Sequence, residues 1–243
     1  MPLPPLGDRP LPETLPLAFD LLDGLNKGKS TGRIENFDFS DMASVDRRAF
    51  SFFVKSWDYL YDREKLTGLR GDAYKVKRWA VNRFIKNVRY ETRPFVPGDL
   101  TECLALYDAW KREKERAFVK GDDDYPRFLM EDSRIAHERM MKESSALGII
   151  GKVVTLDSKI SAYTFGMKMG EEMLVILAEI ADRSVPGLAQ FIFREFCAGF
   201  PERAWVNTMD DSDLPALRKV KFSYHPVLLV PSFSLMRLKA GDR

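Results

Sequence analysis

The residues with chemistry to offer fall in four places. Glu179 is the one acid inside an apolar run at 174–181 (LVILAEIA). A carboxylate on an apolar strand is costly unless it is paired or hydrated. Glu179 is therefore either a poised acid–base group or one half of an ion pair, with Arg183 as a candidate partner. Gly187 follows, at the expected start of a helix. A glycine there lets the backbone approach a ligand, and a helix start offers unpaired N–H groups to a phosphate; an ordinary turn glycine is the other reading. Further on, Arg218, Lys219 and Lys221 precede Ser223 and Tyr224. The cations could hold a phosphate, a tRNA acceptor end or a lipid headgroup, or form a solvated basic face. Arg218 and Lys221 are three apart and share a side if the chain is helical there. Ser223 and Tyr224 also fit a structural turn before Pro226. Earlier, the segment 72–89 carries Lys75, Lys77, Arg78, Arg83, Lys86 and Arg89 against the single acid Asp72. With Tyr74 and Trp79 alongside, that stripe suits RNA or an anionic membrane surface, or again a solvated helix face.

Other chemistry is disfavoured. No Ser/His/Asp or Cys/His arrangement stands out. The two cysteines, Cys103 and Cys197, sit in apolar helical contexts and read as buried thiols of a reducing compartment, the cytoplasm. Two histidines without Cys/His spacing make a zinc site improbable. Gly28-Lys29-Ser30 lacks the earlier glycine and preceding strand of a phosphate-binding loop. The acidic run Gly121-Asp-Asp-Asp124 reads as a helix-start loop rather than a metal site. A net charge of only +2 removes any bulk electrostatic case for nucleic acid, so a basic surface must be local. No apolar run approaches the ~20 residues that span a bilayer, and the proline-broken start is not a signal peptide. The 45% hydrophobic content of 243 residues suffices for one large core or two small ones.

These groups must be positioned by a regular pattern. Helices are expected at 12–25, 72–89, from Asp99 as cap onward, and at 125–147. Strands are expected at 50–60 and 90–95, then at 149–156, 160–167 and 173–181. A helix at 185–199 leads to a strand at 203–208, a short helix at 214–220 and a last strand at 226–235. The strand–helix–strand passage from 173 to 208 is a crossover, which makes its two strands parallel. A mostly antiparallel sheet with one parallel pair results.

Several stretches carry a resemblance. They are Asp58-Tyr59-Leu60-Tyr61, Leu66, Leu69-Arg-Gly71, Tyr74-Lys-Val-Lys77-Arg78 and Asn82-Arg-Phe84. Leu177-Ala178-Glu179 with Gly187 follows, then Asn207, Asp213-Leu214, and Leu217-Arg218-Lys219-Val-Lys221-Phe-Ser223-Tyr224 with Pro226. Over about residues 50–243 the chain resembles the phosphatidylglycerol lysyltransferase C-terminal-like family, GNAT-like acyltransferases related to Fem-type enzymes that use aminoacyl-tRNA. Trp79, Ile180 and Thr208-Met209 depart from the family's pattern, which has asparagine, lysine and an acidic pair at those points.

The resemblance implies an α+β, GNAT-like fold. Its mixed, mostly antiparallel sheet has a splayed parallel strand pair and flanking helices, with the donor's acyl group in the gap. It divides the chain into a shortened GNAT-like half, 1–90, and a C-terminal GNAT-like domain, 91–243. The implied activity is acyl transfer, from aminoacyl-tRNA or alternatively acyl-CoA, to an amine or hydroxyl acceptor such as a lipid headgroup or peptide. A catalytically idle module binding RNA or anionic lipid is the other class. No permanently bound cofactor is expected, and tRNA and an anionic lipid surface are the expected partners. Glu179, Lys221 and Tyr224 become the catalytic candidates. Tyr61, Lys77, Arg78, Asn207, Arg218 and Ser223 become substrate-binding candidates, and Gly187 the donor-binding one. Tyr61 also fits a core tyrosine.

Overall fold

A computed structural model of the chain describes residue 1 and residues 3–27, 32–116 and 125–238. The loop Gly28-Lys29-Ser30 and the acidic run Gly121–Asp124 lie outside the described residues. The chain divides into two compact units.

The smaller unit comprises Met1–Tyr59, Asp210–Asp213 and Leu229–Arg243. Helix α1 (Leu11–Leu25) has a proline in its first turn, where the missing N–H costs nothing. It buries Leu15, Ala18 and Phe19 against Ile34 and Phe37 of β1 (Arg33–Phe37), Phe50 of β2 (Phe50–Asp62) and Leu235 of β8 (Leu228–Arg237). Arg237 ties β8 to α1 through Asp20 at 2.8 Å and the Pro16 carbonyl at 2.7 Å. A short helix, α2 (Phe39–Met42), is closed by a capping box from Asp38 and Asp41. Strand β1 was not expected. It pairs antiparallel with β8, and a bulge around Asn36, at φ 61°, breaks the alternation that would have marked it.

The larger unit comprises Leu60–Met209 and Leu214–Leu228. Its helices are α3 (Arg63–Gly68), α4 (Lys75–Asn87), α5 (Leu100–Glu115), α6 (Tyr125–Lys142), α7 (Leu188–Ala198) and α8 (Pro215–Phe222). Its strands are β3 (Glu91–Pro94), β4 (Ile150–Leu156), β5 (Lys159–Met169), β6 (Met173–Ala181) and β7 (Trp205–Asn207), joined by the end of β2. The order is β2-β7-β6-β5-β4-β3. All neighbours are antiparallel except β6 and β7, the pair linked by the α7 crossover. The arrangement is the expected mostly antiparallel sheet with one parallel pair and flanking helices. Asp157 and Ser158, both at positive φ, close the β4–β5 hairpin in the twist-matched way, and Pro94 sits on the edge strand β3, where its missing donor is tolerated.

The period of two in β5 and β6 sorts side chains to two faces. Tyr163, Phe165, Ala178 and Ile180 pack with Cys103, Leu106 and Tyr107 of α5. Ala162 and Ala181 pack with Val81 and Phe84 of α4 and with Leu188, Phe191 and Ile192 of α7. Ile180 is thus an apolar member of the first core.

One expectation differs from the structure. Asp99 does not cap α5 with its side chain. Arg93 takes the carboxylate bidentately, at 2.6 and 2.7 Å, and the Val96 N–H donates to it at 2.9 Å. Helices α4 and α7 pack together inside the larger unit.

Gly187 caps α7 at φ 89°, and a Cβ there would lie 2.3 Å from the Ala80 carbonyl oxygen of α4. Gly187→Ala is expected to lower stability by about 2 kcal/mol or more, measurable as a reduced urea midpoint. An unchanged midpoint would show that α4 moves away freely.

Candidate active site

The parallel pairing of β6 with β7 runs for three residues, Met173↔Trp205, Leu174↔Val206 and Val175↔Asn207, and then stops. Strand β6 continues to Ala181. Residues 176–181 therefore lie beside a gap on that edge, as a splayed pair requires.

Glu179 projects from this unpaired stretch. Its position across β5 is Thr164, which is fully buried and donates a hydrogen bond to one carboxylate oxygen at 3.1 Å. No cation pairs with Glu179 among the described residues. Arg183, the candidate partner, instead meets Glu113 of α5 at 3.1 Å. Glu179 is set deep among protein atoms yet keeps some contact with solvent. That burial pushes its carboxyl up to about 8, against a smaller downward pull from the Thr164 bond. A carboxyl in this state holds a proton near neutrality and accepts one once ionised.

Tyr224 follows α8 and is buried. Three contacts fix it. The Tyr74 hydroxyl donates to its carbonyl at 3.0 Å, the Phe193 ring of α7 meets it edge-on at 4.9 Å, and the Lys77 ammonium lies 4.0 Å over its face. Burial first, then the negative charge of Glu179, raises its phenol above the ordinary range, so it stays protonated at any working pH. Its hydroxyl has no hydrogen-bond partner among the described residues. Lys77 is half-buried, and burial lowers its ammonium. Cys197 of α7 is fully buried, and burial and then Glu179 raise its thiol, so it is an inert neighbour. Cys103 is likewise buried, its thiol pushed up to about 12.

The remaining candidates build the frame. The Tyr61 hydroxyl donates to the Lys221 carbonyl at 2.9 Å. The Lys221 ammonium donates to the Thr208 carbonyl and, at 3.1 Å, to that of Met209, clamping α8 to the loop after β7. Asn207 accepts the Met209 N–H at 2.6 Å and shapes the same loop, where Met209 takes φ 60°. Ser223 donates to the Val220 carbonyl at 2.6 Å, closing α8. Arg78 donates to the carbonyls of Leu69 and, at 2.9 Å, Gly71. Arg218 is exposed on α8. The Cβ side of Gly187 faces Ala80 of α4 rather than open space. The structure therefore gathers Glu179, Tyr224 and Lys77, and gives Lys221, Asn207, Ser223, Arg78 and Tyr61 positioning contacts. Thr164 and Phe193 were missed from sequence; only the pairing of β5 with β6, once drawn, puts Thr164 beside Glu179. Among the described residues no group of His, Cys, Asp and Glu could hold a metal ion, and no helix is long and apolar enough to cross a membrane.

A family model described as phosphatidylglycerol lysyltransferase, C-terminal, matches residues 35–236. A conserved protein of unknown function from Bacteroides thetaiotaomicron VPI-5482 is 28% identical, with a TM-score of 0.78 covering 97% of this chain and 78% of that one. The structure of L-PGS from Bacillus licheniformis gives 16% identity and a TM-score of 0.63, covering 93% of this chain and 74% of that one. The C-terminal domain of a candidate lysylphosphatidylglycerol synthetase from Agrobacterium fabrum gives 15% and 0.61, covering 93% and 73%. At 15–16% the likeness is one of fold. No curated protein matches the chain.

The raised carboxyl has a stability consequence. Between its ordinary value of 4.5 and about 8 the unfolded chain has lost this proton and the folded chain keeps it. Stability from this group is full below 4.5 and falls as pH rises through about 8. Glu179→Gln should therefore raise the melting temperature relative to the parent at pH 8.5 and do so less at pH 4.5. Equal effects at both values would show an ordinary carboxyl.

Proposed function

We propose that this chain, which belongs to the phosphatidylglycerol lysyltransferase C-terminal family, transfers an aminoacyl group from aminoacyl-tRNA to an amine or hydroxyl acceptor by direct attack. The family and the fold are those of acyl- and aminoacyl-transferases. One observation carries the reading: an unpaired, high-affinity proton acceptor, Glu179, stands on the strand edge that borders the gap between β6 and β7.

In this reading the acyl carbonyl enters the gap. The acceptor nitrogen or oxygen attacks the carbonyl carbon and gives its proton to ionised Glu179, while the ester C–O bond breaks. The leaving 3′-oxygen takes a proton from the Tyr224 hydroxyl, which its raised affinity keeps in place until then, and the proton taken up by Glu179 is released to solvent as solvent reprotonates Tyr224. No covalent enzyme intermediate is needed, which accords with the buried, raised thiols of both cysteines. Thr164 holds the carboxylate in one orientation, and the Lys221 clamp keeps α8, and with it Tyr224, in register.

Two features favour tRNA over coenzyme A as the donor's carrier. The exposed side of α4 presents Lys75, Trp79, Arg83 and Lys86 with no acid in the helix, a cation-and-aromatic surface that suits an RNA backbone. The glycine that would admit a pyrophosphate, Gly187, is turned against Ala80.

The test is transfer of a labelled aminoacyl group from bulk aminoacyl-tRNA to added amines. The rate should climb with pH toward about 8 and level off as Glu179 ionises. Glu179→Gln should lower kcat on the order of 100-fold or more, and Tyr224→Phe should cut it at least tenfold. Transfer from acetyl-CoA with aminoacyl-tRNA left intact would overturn the donor. Full activity of Glu179→Gln would overturn the site.

A further inference from the structure

Helix α4 carries a recess of about 400 Å³ lined by Lys75, Val76, Arg78, Trp79 and Asn82. Lys75 and Val76 neighbour Trp79 on the helix, and Asn82 neighbours both Arg78 and Trp79. Residues at these spacings have Cβ atoms roughly 5–6 Å apart, so one small group can touch them together. Two large apolar side chains stand open to solvent here: Trp79 is 60% exposed and Val76 74%. The helix meets the core through Val81 and Phe84, so core packing does not account for the other two. The polar groups have bonding capacity to spare. Arg78 donates to the Leu69 and Gly71 carbonyls through Nη1 alone. Those bonds hold the guanidinium in place and leave its Nε and Nη2 without a partner among the described residues. The Lys75 ammonium and the Asn82 amide have none there either. Arg83 lies 5.1 Å over the Trp79 ring and is not part of the recess lining. Around the recess α4 holds Lys75, Lys77, Arg78, Arg83 and Lys86 and no acid, so an occupant of complementary charge is an anion.

We infer that this recess binds one unpaired nucleotide of a single-stranded RNA end, with Trp79 as the stacking platform. The parts of a nucleotide match the parts of the recess. A base face stacks on the indole, the phosphate meets Arg78 and Lys75, and the Asn82 amide reaches a base edge. A duplex brings the same phosphates but keeps its base faces against one another. The inference rests on the transferase reading for the RNA concerned, and narrows its contact with α4 from a phosphate backbone to an unpaired end. An anionic membrane surface would answer the same charges. Trp79 would then enter the acyl region with the Arg83 guanidinium over its ring, and carrying a charge there is costly. Stacking accepts that guanidinium, because a cation and a base can both lie against one indole.

The test titrates the whole chain into a labelled RNA hairpin with a short unpaired 3′ tail, and into the same hairpin with a blunt end, read by fluorescence anisotropy. The tailed hairpin should bind about tenfold more tightly, Trp79→Ala should bring it to the level of the blunt one, and Trp79→Phe should keep most of the preference. Trp79 is exposed, so the variants should melt with the parent. Equal affinity for the two hairpins, no binding of either, or a preference unaltered in Trp79→Ala would overturn the inference. AMP binding as tightly as the tailed hairpin would overturn it in favour of a free nucleotide. Trp79-dependent sedimentation with vesicles of phosphatidylcholine and phosphatidylglycerol, in place of a tail preference, would overturn it in favour of a membrane. Failure of the transferase reading looks different: the Trp79-dependent tail preference would persist while aminoacyl-tRNA stayed intact in the presence of added amines.

Discussion

Strand β6 is nine residues long and its parallel neighbour β7 only three. That mismatch is the constraint on which the site depends. Pairing ends at Val175 and Asn207, and among the described residues the later part of β6 has no strand partner on that edge. A parallel strand inside a sheet is normally covered and saturated. Here the pairing of β6 with β7 stops at Val175, before Glu179. The crossover helix α7 covers the sheet beside the gap and contributes Phe193 and Cys197. The loop after β7, shaped by Asn207 and clamped by Lys221, turns the chain into α8 and delivers Tyr224.

The electrostatic character follows from this packing. Glu179 is deep because it sits on a central strand, and no cation pairs with it among the described residues; Arg183 meets Glu113 of α5 instead. Its one bond, from Thr164, orients the carboxylate without supplying a positive charge. The result is a group that loses stabilisation as pH rises while gaining the ability to accept a proton. A site of this kind exchanges fold stability for reactivity. Elsewhere the protein shows the opposite choice. Arg93 and Asp99 neutralise each other bidentately, and Glu35 sits between Arg33 and Lys55 with its carboxyl held below the ordinary range.

Much of this was legible in the residues. The crossover could be read because β6 is apolar but for Glu179 and Pro186-Gly187 announces a helix start. Glu179 stood out because it is the single acid in that run. Less local features were hidden. β1 escaped because the Asn36 bulge breaks its alternation, and α3 because six residues starting RE carry no periodicity. The cap assigned to Asp99 was lost to a stronger competitor, an arginine six residues earlier on β3. Lys77 was legible as basic but not as the cation over Tyr224. That contact joins the first turn of α4 to a residue two past the end of α8, and no short-range pattern records it. Gly187 was legible as a special position, but its reason, the Ala80 carbonyl, lies on another helix.

The central claim is that Glu179 holds its proton to about pH 8 in the folded protein. The most direct measurement is a pH titration of its carboxyl carbon by NMR, using protein labelled with carboxyl-13C glutamate and assigned by comparison with Glu179→Gln. The account predicts one carboxyl resonance that titrates near pH 8 and is absent from the variant. Titration of that resonance near 4.5, with the other glutamates, would contradict it.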